Sequence, residues 1–185
     1  SFIDTQKIDT GFHVTTPDSF LLQKLLQKAV DKKCDYVVVE ATSHGLDQNR
    51  LWGIPFYIGV MTNLSHEHLD YHHSLTKYLQ AKSKLFVSAN FAVINGEDQS
   101  FKSLERIAKG RIISYGIRFK TEIHASDLKM DDKGTSFKAE GQKFFVPLKG
   151  KYNVYNALAA LGVGEAIGIA NSDMVVALRN FPGVV

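Results

Sequence analysis

The sequence predicts an α/β protein with a mostly parallel central sheet, flanking helices and a small antiparallel β meander. Up to residue 115, short apolar strands alternate with amphipathic helices, which is typical of βαβ units in a parallel sheet. From about residue 120 the strands become shorter and alternate in polarity, and Gly-bearing turns such as 131–134 separate them. We expect the meander to be a small subdomain, residues 120–149, within one domain that spans residues 1–185.

The first predicted elements are a helix at 17–31 and strands at 35–41 and 56–62. Pro17 favours the first turn of a helix, and an apolar stripe with helical spacing follows it. Both strands are apolar through their middle, as parallel strands covered on two faces should be. We expect the helix to turn five apolar side chains inward, namely Phe20, Leu21, Leu25, Leu26 and Val30.

The remaining predicted elements continue this alternation. The parallel part is completed by helices at 74–89 and 99–109 and by strands at 91–95 and 111–115. The meander is expected to contain strands at 123–130, 135–140 and 143–147. Two helices close the chain, at 153–167 and 172–180, and Asn153 and Ser172 have the side chains expected of their N-caps.

Composition places the chain among ordinary globular proteins of one-domain size. The 185 residues are 44% hydrophobic and 22% charged, and the net charge of +3 is scattered along the chain. Scattered charge argues against a dedicated nucleic-acid binder. A single cysteine, Cys34, excludes an internal disulfide and fits a reducing cytosol, and no apolar run is long enough to span a bilayer. We therefore expect a cytoplasmic protein that does not enter the membrane.

Titratable side chains gather after the predicted strand at 56–62. Four histidines lie between residues 66 and 73, together with two carboxylates. In an open α/β sheet, ligands bind at the carboxyl ends of the strands. Glu40 lies near the end of the predicted strand at 35–41. If the two strands are neighbours, Glu40 and His68 emerge at one edge of the sheet, where they suit a Mg²⁺ or Mn²⁺ ion shared with phosphate. The competing interpretations are a solvated histidine-rich loop and, for Glu40, an ion pair with a lysine.

Four motifs, in this order, make the chain similar to the central domain of the Mur ligases. They are Glu40–Arg50 (EATSHGLDQNR), Thr62–His72 (TNLSHEHLDYH), Lys82 shortly before a Leu-Phe pair, and Tyr152–Asn156 (YNVYN). The resemblance covers essentially the whole chain and implies a fold of the P-loop NTPase type. Within the family it points to the ligases that add the third residue of the peptidoglycan stem peptide.

The resemblance implies a role for each matched position. Glu40, His68 and Lys82 would be the catalytic residues: the first two would bind Mg²⁺, and an N-carboxylated Lys82 would help to hold a second Mg²⁺. By spacing alone, Lys82 is interpreted as an ordinary solvated lysine. Asn156 would contact the adenine side of ATP, with Asn63 in the same cleft. The UDP-N-acetylmuramoyl-dipeptide would be bound by six residues, namely Thr15, Thr16, Asp18, Ser43, Gln48 and Arg50.

The implied reaction is ATP-dependent amide formation through an acyl phosphate, carried out by a monomer, with an amino acid as the third substrate. The Gly-rich phosphate loop that the family carries upstream is not in this sequence, and neither is the C-terminal domain. Since the chain starts at Ser1 and stops soon after Gly183, we expect a fragment that is inactive by itself. His44 is expected to be structural rather than a general base. The alternatives are a ligase of the folylpolyglutamate or cyanophycin synthetase type and a non-catalytic nucleotide-sugar-binding module.

Overall fold

The computed structural model describes residues 2–3, 6–7, 15–64 and 69–183. The chain divides into two compact units. Unit 1 consists of Ser1–Pro55 and His68–Lys84, and unit 2 consists of Phe56–Glu67 and Leu85–Val185. None of the described helices is long and apolar enough to cross a bilayer.

Unit 1 is mainly helical. A two-stranded antiparallel ribbon pairs β1 (Phe2–Ile3) with β2 (Gln6–Lys7). The described helices of this unit are α1 (Ser19–Asp31), α2 (Ser43–Asp47), α3 (Leu69–His72) and α4 (Leu75–Ser83). The short helix α2 packs against α4. The predicted helices at 17–31 and 74–89 are therefore present, and both are shorter than predicted.

The helix α1 begins where Asp18 caps it. Oδ1 of Asp18 accepts the backbone N–H groups of Phe20 and Leu21 at 2.9 and 3.0 Å, and so satisfies donors that a helix leaves open. The prediction that Phe20 and Val30 face inward is wrong, because they are 78% and 68% exposed. They project away from the face of the helix that is buried, which carries Leu22, Leu25 and Ala29.

The predicted strand at 35–41 has no regular secondary structure and pairs with no strand in the described part of the chain. Val38, in its middle, is 96% exposed. An apolar run favours extended backbone, but a strand also needs a partner in matching register. Thr16 holds the end of the segment, because its hydroxyl donates to the carbonyl of Glu40 and accepts the N–H of Thr42 at 2.8 and 2.9 Å. Glu40, near the end of this segment, is exposed.

Unit 2 contains the predicted parallel sheet. Its strands, in spatial order, are β3 (Ile58–Met61), β4 (Phe91–Asn95), β5 (Arg111–Gly116) and β6 (Ile123–His124), and all described pairs are parallel. The strand β4 lies inside the sheet and is buried from Ala92 to Asn95, as a parallel strand covered on both faces requires. The predicted fold class is confirmed.

Three described helices accompany the sheet, namely α5 (Phe101–Ile107), α6 (Lys151–Ala166) and α7 (Asn171–Arg179). The helix α6 packs against the strands of the sheet, and its side chains Val154 and Leu158 are fully buried. At Gly162 a Cβ would lie 2.6 Å from Cγ1 of Val93, so the absence of a side chain permits the close approach of helix and sheet.

Both predicted N-caps of the last two helices are wrong. Gly150, with a φ of 101°, precedes α6, and Asn153 lies inside the helix, where its Nδ2 donates to the carbonyl of Lys149 at 2.8 Å. Ser172 lies inside α7, which is preceded by Ala170 and has no side-chain cap. Both helices start earlier than predicted, because the helical backbone begins before Asn153 and Ser172, the residues whose side chains favour an N-cap.

The meander consists of three antiparallel strands, β7 (Ser126–Met130), β8 (Thr135–Ala139) and β9 (Gln142–Val146), in that order. Glu140 and Gly141 join β8 to β9 with φ values of 49° and 70°, the left-handed conformation that a two-residue hairpin turn requires. Phe137 and Phe144 stack in its core with ring centroids 5.5 Å apart. The predicted strand at 123–130 is divided, since its first residues pair with β5 in the parallel sheet.

Candidate functional site

Thr16 is a buried residue whose hydrogen bonds connect several residues of the candidate site in unit 1. Its hydroxyl oxygen lies 2.9 Å from that of Thr42, which in turn caps α2 by accepting the N–H of Gly45 at 3.1 Å. A Cβ on Gly45 would lie 2.8 Å from Cγ2 of Thr16, so this packing depends on glycine. Thr16 is 1% exposed, and its hydroxyl is committed to contacts within the protein. Thr15, beside it, is exposed.

Ser43, the first residue of α2, carries a buried hydroxyl group. The residue is 3% exposed, and its Oγ forms no hydrogen bond within residues 15–64 and 69–183. Buried hydroxyls are nearly always hydrogen-bonded, and an unsatisfied one costs about 1–3 kcal/mol. A polar ligand bound at this point could supply the missing partner.

A chain of hydrogen bonds runs from Thr16 to Tyr71 through the residues that end α2. Arg50 donates Nη1 to the carbonyl of Thr16 and Nε to Oε1 of Gln48, both at 2.9 Å. Gln48 donates Nε2 to the Tyr71 hydroxyl at 3.4 Å, and that hydroxyl donates to Oδ2 of Asp47 at 3.2 Å. Two of the five N–H groups of the guanidinium are used in this way, so Arg50 is fixed and keeps donors that suit an anionic group.

Lys84 caps the C-terminal end of α2. Its Nζ donates to the carbonyls of Leu46 and Asp47 and to Oδ1 of Asn49, at 3.1, 3.2 and 3.2 Å. Positive charge at this place complements the negative end of the helix dipole. The sequence gives no signal for this role of Lys84, because 37 positions separate it from Asp47 and no local pattern connects them.

A row of aromatic rings leads to Lys82. The Tyr71 ring centroid lies 4.1 Å from that of His44 and 4.8 Å from that of His72. His72 is 4% exposed and stacks on Tyr78 at 5.2 Å. Lys82, one turn further along α4, places Nζ 5.5 Å from the centroid of the Tyr78 ring, which is a cation–π distance. Lys82 is half-buried rather than fully solvated.

The predicted Mg²⁺ ligands can be located only in part. His68 lies outside the described residues, whereas Glu40 and Lys82 are described. Across the described ranges, no three His, Cys, Asp or Glu side chains lie close enough together to hold a metal ion. The exposed carboxylate of Glu40 is an oxygen donor of the kind that Mg²⁺ prefers, and the amine of Lys82 becomes one only when it carries an N-carboxylate. The three-residue donor set stays a prediction.

In unit 2, the two asparagines assigned to the nucleotide are both exposed. Asn63 follows β3, and Asn156 lies in the first half of α6. The turn that begins at Asn95, the last residue of β4, holds the residue before Asn63, because Asn95 donates Nδ2 to the carbonyl of Thr62 at 3.2 Å. The carboxyl ends of parallel strands, where this turn lies, are the usual ligand-binding edge of such a sheet.

Glu97 lies buried in the same turn, with its side chain 1% exposed. It accepts the backbone N–H groups of Ile117 at 2.9 Å, Phe119 at 2.8 Å and Arg118. The Tyr155 hydroxyl donates to it at 2.5 Å, and Nε of Arg118 at 3.3 Å. Burial by itself raises the pKa of Glu97, but the hydrogen bonds from Tyr155 and from the three backbone N–H groups outweigh it and lower the pKa to about 2.

No sequence motif assigns a role to this turn. Glu97 resembles any exposed acid in a polar stretch after a strand, and its partners Arg118 and Tyr155 lie 21 and 58 positions away. A carboxylate directly after a buried parallel strand was the one available signal, since that is where ligand sites and their supports collect.

Comparison with known proteins identifies the family. The profile of the Mur ligase middle domain matches residues 2–164. A UDP-N-acetylmuramoyl-L-alanyl-D-glutamate–2,6-diaminopimelate ligase of Clostridium botulinum is 37% identical over 100% of this chain and 38% of its own length. The enzyme of the same name from Parabacteroides distasonis is 31% identical, again over 100% of this chain and 38% of its own length.

Solved structures agree with these matches. A structure of a UDP-N-acetylmuramoyl-L-alanyl-D-glutamate–2,6-diaminopimelate ligase has a TM-score of 0.85 and 32% identity, covering 92% of this chain and 37% of its own. MurF from Acinetobacter baumannii has a TM-score of 0.64 at 21% identity over 69% of this chain and 30% of its own, which supports the fold alone. The chain spans about 38% of the length of the relatives it matches. Because the family match covers most of its residues, the chain belongs to the Mur ligase family and corresponds to its middle domain.

Proposed function

We propose that this chain is the central, ATP-binding part of a ligase that adds the third amino acid to UDP-N-acetylmuramoyl-L-alanyl-D-glutamate in peptidoglycan synthesis. Relatives with 37% and 31% identity are named for the addition of diaminopimelate to that compound. Since the chain spans about 38% of their length, the activity is proposed for a protein in which flanking segments supply the phosphate loop and the domain that selects the amino acid. The chain by itself is expected to be inactive.

The proposed reaction forms an amide in two steps. A carboxylate oxygen of the substrate's glutamate attacks the γ-phosphorus of ATP, the bond to the leaving oxygen of ADP breaks, and an acyl phosphate results. The amine of the incoming amino acid then attacks the acyl carbon, loses a proton and displaces phosphate. Both steps depend on positioning and on the neutralisation of phosphate charge rather than on covalent catalysis by the protein.

The buried Ser43 hydroxyl is the observation that supports a ligand site in unit 1 most directly. Within the described residues it has no hydrogen-bond partner, and Arg50 holds a guanidinium against the carbonyl of Thr16, whose hydroxyl lies 2.9 Å from that of Thr42, the N-cap of α2. A hydroxyl and a guanidinium suit the phosphate and carboxylate oxygens of the muramoyl nucleotide. We propose direct contacts from these two residues, with Thr15 and Gln48 beside them.

In the proposed site, Thr16 and Asp18 mainly position the backbone. The Thr16 hydroxyl is occupied by the backbone of residues 40 and 42, and Oδ1 of Asp18 caps α1. Their side chains therefore fix the backbone that leads into the site.

Glu40, His68 and Lys82 are the proposed Mg²⁺ ligands, and the bound ions would neutralise charge on the phosphates of ATP. The exposed carboxylate of Glu40 fits that role. Lys82 would join after N-carboxylation, in which its neutral amine adds to the carbon of CO₂ and releases a proton. The ring face of Tyr78 attracts positive charge at Nζ and does not attract a carboxylate, so we expect the N-carboxylate to form only when a cation compensates its negative charge.

Asn63 and Asn156 are the proposed contacts to the adenine of ATP. Both side chains are exposed, and each amide offers a donor and an acceptor side by side. This arrangement matches the adjacent acceptor and amino group on an adenine edge.

Phosphate release by the full-length protein that carries this chain tests the proposal. The assay contains ATP, UDP-N-acetylmuramoyl-L-alanyl-D-glutamate and one member of a panel of amino acids. We expect release with one amino acid and its loss in Glu40→Ala and Lys82→Ala. Lys77→Ala, which changes an exposed lysine of α4, the helix that carries Lys82, is the matched control and should keep wild-type release.

The same assay separates the alternatives. A non-catalytic module would bind the muramoyl nucleotide without phosphate release, and a ligase of the folylpolyglutamate or cyanophycin synthetase type would require a different acceptor. Release that persists in both alanine variants would contradict the proposed roles of Glu40 and Lys82.

A further inference from the structure

The turn formed by residues 95–98, named the Asn95–Asp98 turn, begins at the last residue of the inner strand β4, at the carboxyl edge of the sheet of unit 2. Because β3 and β5 flank β4, the loops that follow these two strands lie on either side of the turn. The turn bonds to both loops and to α6: Asn95 and Asp98 bond to the loop after β3, and Glu97 bonds to the loop after β5 and to α6.

Toward β3, the turn fixes the backbone around Asn63. Besides the bond from Asn95 to the preceding carbonyl, Oδ2 of Asp98 accepts the N–H of Leu64 at 2.9 Å. The Leu64 carbonyl also accepts Nε2 of Gln99 at 3.2 Å. The backbone is thus held on both sides of Asn63 while the Asn63 side chain is exposed.

Toward β5 and α6, Glu97 joins the loop after β5 to the Tyr155 hydroxyl. At Gly116, where that loop begins, a Cβ would lie 2.9 Å from Oε1 of Glu97, so a side chain there would obstruct the carboxylate. Tyr155 directly precedes Asn156 in α6. The bond between Glu97 and Tyr155 therefore fixes the helical turn that presents Asn156, whose side chain is exposed.

We propose that the Asn95–Asp98 turn is a positioning device that sets the spacing between Asn63 and Asn156 and so selects adenine over other bases. The inference rests on the proposed function, in which both asparagines contact the adenine side of ATP. Adenine presents an acceptor nitrogen beside an amino group, whereas guanine presents a carbonyl oxygen in place of that amino group. Hydrogen bonds weaken steeply as their angles open, so this discrimination requires amides that are held in place.

The side chains of the turn act through the asparagines and have no need to touch the nucleotide. Glu97 is 1% exposed, and both of its oxygens are bonded to protein groups. Glu97 and Asp98 are therefore positioning residues. A role limited to stability would lower the melting temperature and weaken every substrate alike, whereas a positioning role changes the recognition of the base alone.

Two nearly isosteric substitutions in the full-length protein test the proposal. Tyr155→Phe removes the hydroxyl that donates to Glu97, and Asp98→Asn can replace the acceptor of the Leu64 N–H with an amide NH₂. In each variant we expect the KM for ATP to rise about three- to tenfold and the preference for ATP over GTP to fall by a similar factor. The KM for the muramoyl substrate should stay at the wild-type value.

Tyr57→Phe is the matched control. It makes the same chemical change at a half-exposed tyrosine that precedes β3, at the opposite edge of the sheet. This variant should keep the wild-type KM for ATP and the wild-type base preference.

Wild-type values in both Tyr155→Phe and Asp98→Asn would overturn the inference. A parallel rise in the KM of every substrate together with a lower melting temperature would also overturn it, since that result indicates a structural role. Failure of the wild-type protein to use any nucleotide would refute the proposed function, and that failure is recognisable before any substitution is made.

Discussion

The Tyr155 hydroxyl donates a hydrogen bond of 2.5 Å to Oε2 of Glu97, and so joins α6 to the turn after β4. The same carboxylate accepts the backbone N–H groups of three consecutive residues, 117–119. A buried charge is tolerated only where it is hydrogen-bonded and paired, and Glu97 meets both conditions because Arg118 also contacts it. This hydrogen bond therefore connects the turn that contains Glu97 to α6, which carries Asn156, a residue proposed to contact the nucleotide.

Glu97 makes the stability of unit 2 depend on pH in the acid range. Its pKa in the folded protein is about 2, below the ordinary value of 4.5, so its contribution is present above about pH 4.5 and is lost as the pH falls toward 2. We expect Glu97→Gln to lower the free energy of unfolding by about 3 kcal/mol at neutral pH, since one pKa unit corresponds to about 1.4 kcal/mol. Urea unfolding at neutral pH and at about pH 3 measures the effect.

The difference in unfolding free energy between wild type and Glu97→Gln should shrink at the lower pH. Glu105→Gln, which changes an exposed glutamate of α5, is the control and should differ little from wild type at either pH. A difference that is the same at both pH values would contradict the low pKa of Glu97.

Ser43→Ala is expected to separate stability from substrate binding. The hydroxyl has no hydrogen-bond partner in the described ranges, so its removal should leave the melting temperature unchanged or slightly higher. The KM for the muramoyl nucleotide should rise about tenfold, because the substrate loses a hydrogen bond. Thermal unfolding and steady-state kinetics measure the two effects.

Ser19→Ala is the matched control for this change, because Ser19 is also the first residue of a helix and is exposed. A large loss of stability in Ser43→Ala with an unchanged KM would mean that the hydroxyl has a structural role instead.

Lys84→Met should loosen α2, since it removes three hydrogen bonds from the end of that helix and keeps the length of the side chain. We expect a loss of about 1–2 kcal/mol in the stability of the helix and faster hydrogen exchange of its amides. The KM for the muramoyl nucleotide should rise as well, because α2 carries Ser43. Unchanged exchange in α2, relative to wild type and to the control Lys77→Met, would rule out this capping role.

The sheet of unit 2 could be predicted because its signals are local. Apolar runs at β4 and β5, separated by a helix with apolar spacing, define a βαβ unit without reference to the rest of the chain. The run at 35–41 carries the same signal and is not a strand in the described structure. A strand also needs a partner strand to pair with, and a local sequence pattern does not identify that partner. The same limit explains the exposed Phe20 and Val30, since periodicity alone does not say which face of α1 is covered.

The residues of the candidate site fall into the same two groups: those that a local sequence pattern marks, and those whose contacts form only in the fold. Ser43, Arg50 and Asn156 were found through contiguous motifs that resemble a known family. Lys84 and Glu97 were not found, because their partners lie 37 and 58 positions away and become neighbours only in the fold. Residues whose partners lie far away in the sequence are not marked by a local sequence pattern.

The most direct test of the proposed chemistry follows an oxygen atom from the substrate to phosphate. The full-length protein receives ATP, the amino acid that supports phosphate release, and UDP-N-acetylmuramoyl-L-alanyl-D-glutamate with isotopically labelled oxygen in its glutamate carboxylates. If a carboxylate oxygen attacks ATP, the acyl phosphate breaks so that this oxygen leaves with the phosphate. Mass spectrometry should detect one labelled oxygen in each released phosphate, alongside the amide product. Phosphate without label would show that another group attacks ATP, and would contradict a ligase that acts through an acyl phosphate.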